Sequence, residues 1–244
     1  MARLRPPVAV FVALLGLIGG AVLTGCAGGD TYSADVSDLA DRYLPTTRQV
    51  DYHPDSLGAL SIREKENRFQ IELAVGYEGL HRRWSSSYQN LGMGRSQRTR
   101  SYATLWSKEL SLASLEAETG VSGLTQKRAR KLLAERRQEY QKVVQIDIYW
   151  FESEGNTLLA GPGSRIRLQI DGNTYRPARE DHGPLREAFL IGDSQGVLYR
   201  RNSFYFTRIV DGTDILEDTE KMTLMVDRSD AQSRVRFAWE WPAQ

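Results

Sequence analysis

Residues 143–150 read VVQIDIYW. Val144, Ile146, Ile148 and Trp150 occupy every second position, with Gln145, Asp147 and Tyr149 between them. A period of two puts the first set on one face of a strand and the second set on the other.

The same period recurs along the chain. Phe69, Ile71, Leu73, Val75 and Tyr77 alternate with polar or small residues. So do Ile166, Leu168 and Ile170; Met222, Leu224 and Val226; and Val235, Phe237, Trp239 and Trp241. Asp171-Gly172-Asn173, Gly192 to Gly196 and Asp211-Gly212 supply turn chemistry between them. Short half-buried strands with such punctuation predict a mainly β fold, an antiparallel β-sandwich resembling the immunoglobulin-like class. A closed barrel fits the same pattern.

Residues 102–142 break the period. Trp106, Leu110, Ala113 and Ala117 share a helical face, Gly120 and Gly123 interrupt it, and Thr125 can cap a second helix. In that helix Ala129, Leu132, Leu133 and Tyr140 form the apolar stripe. The reading is a helical pair inserted between strands.

Charge is divided unevenly. The formal net charge is +1. Residues 82–142 nevertheless hold 13 Lys and Arg against 5 Asp and Glu. Arg82, Arg83, Arg95, Arg98 and Arg100 sit among Ser and Gly with no acid between them, which reads as a mobile basic loop. Lys127, Arg130, Lys131 and Arg137 lie off the apolar stripe of the second helix. Cations at a helix start oppose the helix dipole unless an anion is close. The expectation is an anionic-partner surface made of these nine residues, with an anionic envelope component or an acidic protein as partner. The rival reading is that the acidic remainder of the chain neutralises them.

The N-terminus carries an address. Arg3 and Arg5 precede an almost wholly apolar run, Val8 to Leu23, that ends in small residues. This is the pattern of a secretory signal, and the run is short for a spanning helix. Leu23-Thr24-Gly25-Cys26 contains the only cysteine of the chain. It resembles the lipobox of bacterial lipoproteins. The resemblance covers the first 26 residues and implies cleavage before Cys26, a diacylglycerol on its thiol, and further acylation, such as palmitate, on the new amino group. Ala27 in place of aspartate implies the outer membrane. The resulting organisation is a signal peptide at 1–25, a lipidated tether at 26–33 and a single domain at 34–244. Val36, Leu39, Ala40 and Tyr43 predict a short helix that Pro45 ends. Nucleic acid is an unsuitable partner for a protein so placed.

Catalytic motifs are weak. Gly192-Asp193-Ser194-Gln195-Gly196 matches the G-x-S-x-G nucleophile elbow of serine hydrolases. That elbow needs a helix after it, whereas Val197 to Tyr199 and Phe204 to Ile209 read as strand. His53, His81 and His182 are far apart, and His81 lies beside arginines that disfavour an imidazolium. None has the spacing of a metal ligand set, and the acidic turn at Asp211 to Glu220 lacks the EF-hand pattern. The reading is therefore a non-enzymatic lipid-anchored envelope protein without cofactor or metal, acting as a binding or assembly module. A Ser194 hydrolase and a carrier of an apolar ligand are the alternatives.

Overall fold

The alternation at 143–150 lies inside a ten-residue strand of a computed structural model, which describes residues 44–65, 68–91, 98–152, 165–189, 196–227 and 234–243. In chain order the elements are β1 (Thr47–Gln49), β2 (Leu60–Lys65), β3 (Arg68–Leu73), α1 (Gly76–Arg83), β4 (Ser85–Leu91) and β5 (Arg98–Leu105). Then come α2 (Lys108–Thr119), α3 (Gln126–Tyr140), β6 (Val143–Glu152), β7 (Arg165–Ile170), β8 (Asn173–Tyr175) and β9 (Arg179–Phe189). The last are β10 (Gly196–Thr207), β11 (Ile209–Val210), β12 (Thr213–Asp214), β13 (Lys221–Asp227) and β14 (Arg234–Glu240). The fold is mainly β. The described residues belong to one compact unit, Tyr32–Gln244.

One five-stranded sheet has the order β1-β14-β13-β7-β8 and the other β4-β5-β6-β10-β9. Among the described residues these are separate open sheets, with β2-β3 and β11-β12 as additional hairpins. The pairings are antiparallel except one: β1 runs parallel to β14, Thr47 opposite Ala238. The all-antiparallel expectation is corrected there. A parallel edge arises because residues 44–49 cross from one sheet to the other. The Ser87 N–H donates to the Pro45 carbonyl, and the Ala238 N–H to the Thr46 carbonyl.

Alternation does what the sequence pattern requires. Val144, Ile146, Ile148 and Trp150 are buried in one cluster with Met222, Leu224, Val226, Val235, Phe237 and Trp239. Trp150 meets Phe237 edge-on with ring centroids 6.4 Å apart, and the Trp239 indole N–H donates to the Trp84 carbonyl at 2.9 Å. Both sheets thus share one apolar core. Asp171 and Gly172, at φ 46° and 84°, make the two-residue turn between β7 and β8. Asp211 and Gly212, at 53° and 82°, do the same between β11 and β12. Two consecutive left-handed residues are what a tight hairpin needs, which explains the Asp-Gly choice.

Three other expectations change. The strand beginning at Phe69 stops at Leu73; Gly76, at φ 69°, starts α1, so Val75 and Tyr77 are not strand residues. Arg82 and Arg83 are the last turn of α1, and Arg98 and Arg100 lie in β5, so these four arginines belong to helix and strand and not to the expected mobile loop. The helical insertion is narrower than 102–142, because β5 continues to Leu105 and the helices occupy 108–140. Ser107 caps α2, its side chain accepting from the Leu110 N–H at 3.2 Å. Thr125 holds the N-cap position of α3 with its backbone alone. The signal segment, Cys26, the tether and the helix expected at 36–43 lie outside the described residues, as do Arg95 and Ser194.

Candidate functional site

α3 is a helix because three- and four-residue spacings put Ala129, Leu133 and Tyr140 on one buried side. Arg136 joins that side and ties α3 to α2. Its guanidinium meets Glu118 at 2.9 Å, the Ser114 hydroxyl at 3.0 Å and the Ser111 carbonyl at 3.2 Å. The opposite side holds Lys127, Arg128, Arg130, Lys131 and Arg137, all exposed.

At 100° per residue, Arg137, Arg130, Lys127 and Lys131 fall within one arc of the helix, together with Ala134 and Gln138. No acid of α3 lies in that arc. Glu64 of β2 reaches one flank, where Arg130 donates to both of its carboxylate oxygens at 3.0 Å. Glu135 reaches the other, 3.7 Å from Lys131. The first turn of α3 contains no acid, so Lys127 and Arg128 stand at the positive end of the dipole.

The arginines outside α3 serve different ends. Arg83 donates to the Tyr52 hydroxyl at 2.6 Å and lies 5.5 Å from the Tyr52 ring centroid. Arg82 and Arg83 end α1, where cations complement the dipole. Arg48, which the sequence reading passed over, donates to the Ser85 carbonyl at 2.9 Å and the Arg82 carbonyl at 3.0 Å. Arg48, Arg82 and Arg83 border a groove of about 430 Å³. The nine candidate cations are thus not one surface. Four share α3, two are built into the α1 corner, and the side chains of Arg95, Arg98 and Arg100 fall outside the described set.

Three buried polar networks were not visible as sequence motifs. Glu109, fully buried, accepts from the Trp84 indole N–H at 2.7 Å, the Tyr52 hydroxyl at 2.5 Å and the Ala59 N–H at 2.8 Å. Burial and this carboxylate push the Tyr52 hydroxyl up to about 12. Asp147, fully buried, accepts from the Trp106 indole N–H at 2.7 Å and Arg201 Nη2 at 2.7 Å. Arg208, almost fully buried, meets Asp214 at 2.8 Å and bonds Asp55, which also accepts from the Tyr140 hydroxyl at 2.7 Å. Burial alone would raise the Asp55 carboxyl; the Arg208 and Tyr140 hydrogen bonds hold it below its ordinary value. Arg208 and Asp55 are 153 residues apart, too far for any spacing argument.

His81 lies fully buried among Tyr77, Trp106 and Tyr149, with neither ring nitrogen hydrogen-bonded. Burial takes its pKa down to about 4, Asp147 opposing and Arg201 reinforcing that shift. It is neutral because it is dry; the neighbouring arginines of the sequence are a minor matter. His53 bonds the Leu216 carbonyl at 2.9 Å, and His182 stands exposed on β9. Among the described residues no three His, Cys, Asp or Glu side chains are grouped to hold a metal ion. Gly196, the last residue of the G-x-S-x-G match, opens β10, a strand. No described helix is long and apolar enough to cross a membrane.

No protein-family model matches the chain, and no curated protein matches it in sequence.

Proposed function

We propose that this chain is a non-enzymatic, lipid-anchored envelope module that uses α3 to bind an anionic component, the phosphate head groups of the membrane that holds it. The observation that carries the reading is the arc of Lys127, Arg130, Lys131 and Arg137, exposed, with no acid of its own helix inside it. Fixed cations on a rigid helix contribute about 1 kcal/mol each near an anionic bilayer. The lipobox at Leu23 to Cys26 supports the anchor, and Ala27 supports the outer membrane.

The scaffold in this reading is a β-sandwich of the immunoglobulin-like class, supported by the single core that the two five-stranded sheets share. The strand after Gly196 favours binding over catalysis at Ser194, because the nucleophile elbow depends on a following helix. Cosedimentation of residues 27–244 with anionic and neutral phospholipid vesicles tests the proposal. Salt-sensitive binding to anionic vesicles alone is expected; equal, negligible binding to both would remove head groups as the partner.

A further inference from the structure

β1 and β4 are edge strands of different sheets. The Ser87 N–H of β4 donates to the Pro45 carbonyl just before β1, and beyond that tie Arg48 bridges to Ser85 and Arg82. The groove of about 430 Å³ opens at this corner. Leu44 and residues 48–51 form one wall, and Gly79, Arg82 and Arg83 of α1 form the other. Gly79 brings no side chain into it. Clefts of about 300–1,000 Å³ are the size of small-molecule sites.

The way Arg48 is held decides what the groove can take. Its Nε donates to the Ser85 carbonyl at 2.9 Å and its Nη2 to the Arg82 carbonyl at 3.0 Å. A guanidinium presents its N–H donors in a rigid planar fork. These bonds use the side that Nε shares with Nη2. The end-on pair, one N–H each from Nη1 and Nη2, meets no acceptor among the described residues. Such a pair takes two oxygens of one oxyanion at once. With the plane fixed beforehand, less side-chain entropy is lost on binding.

Charge points the same way. Arg48 is half-buried, and both of its partners are neutral carbonyls. Burial lowers its pKa from the ordinary value, with no neighbouring carboxylate opposing that shift. A charge drawn out of water without a counter-charge is costly, and a bound anion offsets that cost. Arg83 adds a second guanidinium, oriented by its 2.6 Å bond to the Tyr52 hydroxyl, and Arg82 a third. Among the described residues Asp51 is the acid on the groove wall, and it forms no ion pair with Arg48 or Arg83. The surplus of two positive charges suits a phosphomonoester, which carries about −1.5 to −2 at pH 7, better than a single carboxylate.

We propose that this groove binds a phosphomonoester, with the end-on fork of Arg48 on two phosphoryl oxygens and Arg82 and Arg83 supplying the remaining positive charge. A free sugar or glycerol phosphate carries such a group, and so does a lipid head group of the phosphatidate type. No residue of α3 lines the groove, so binding here does not depend on what α3 holds.

The experiment is equilibrium dialysis of radiolabelled glycerol 3-phosphate against the full-length chain in nonionic detergent at fixed ionic strength. Saturable binding is expected, displaced by inorganic phosphate but not by acetate. Arg48→Gln should weaken it about ten-fold or more, and so should Arg48→Lys, which keeps the charge and loses the fork. Arg176→Gln, at an exposed arginine away from the groove, should leave it unchanged. Thermal melts verify folding; Arg82→Gln replaces the Arg48 variants if they do not fold. Phosphatidic acid mixed into the micelles separates the sources: displacement assigns a lipid head group, and its absence a free solute. Absent or unsaturable binding, unchanged affinity in the folded groove variants, an equal loss in Arg176→Gln, or equal displacement by acetate would overturn the assignment.

Discussion

Arg130 of α3 reaches across to β2 and donates to both carboxylate oxygens of Glu64 at 3.0 Å. Among the described residues this pair is where an acid from outside α3 answers its cationic arc, and it lies at the surface, the Arg130 side chain 61% and the Glu64 side chain 36% exposed. Exposed pairs of this kind contribute about 0–1 kcal/mol. Arg130→Ala should therefore shift the urea midpoint by less than about 1 kcal/mol equivalent. A larger loss would mean that the arc exists to hold β2, not to meet a partner.

Glu109 is a different case. It is fully buried, and three donors converge on it from Trp84, Tyr52 and Ala59. Removing a buried charged acceptor strands its donors, at about 1.5–3 kcal/mol for each bond to a charged group. Glu109→Ala should lower stability by about 3 kcal/mol or more in urea unfolding, and Glu109→Gln by less. A neutral outcome for Glu109→Ala would show that the three donors find other partners.

His81 makes stability depend on pH. Its folded pKa, about 4, lies below the ordinary 6.5, so between these values the unfolded chain binds a proton that the folded chain refuses. Stability is then lost as pH falls from about 6.5 to 4, by about 3 kcal/mol at most at 1.36 kcal/mol per unit. The facing groups are Asp147, Arg201, Tyr77 and Tyr149. Asp55, held below 3.8, adds its own loss at still lower pH. Thermal melts at pH 7 and pH 4.5 should differ in the wild type and converge in His81→Phe. An equal fall in both proteins would assign the effect elsewhere.

The anchor has its own readout. In cells fed a fatty-acid probe, wild-type chain should carry the label and fractionate with membranes, and Cys26→Ala should do neither. Label persisting in Cys26→Ala would exclude the lipobox cysteine as the acylated residue.

Where apolar residues alternate strictly, the sequence shows the strand and its buried face, as at Val144 to Trp150 and Met222 to Val226. β4 does not stand out in the sequence because its buried positions are polar. Ser85, Ser86 and Ser87 are buried with their hydroxyls bonded to the His81, Thr46 and Leu44 carbonyls. Small hydroxyl side chains satisfied by distant backbone look like loop composition. Of the candidate surface, the α3 cations were legible because helical spacing fixes which residues avoid the apolar stripe. Arg83 was not, because its partner Tyr52 lies 31 residues away.

The α3 face is tested most directly by reversing Lys127, Lys131 and Arg137 to glutamate in residues 27–244 while leaving the Arg130–Glu64 pair intact. Binding to anionic phospholipid vesicles and the melting temperature are then measured on the same preparation at low and physiological salt. The account predicts that vesicle binding is lost while the melting temperature stays within about 3 °C of wild type, as surface changes of under about 0.5 kcal/mol would allow. Undiminished vesicle binding, or a sharply lowered melting temperature, would contradict it, the latter by showing that these cations neutralise the acidic remainder of the fold.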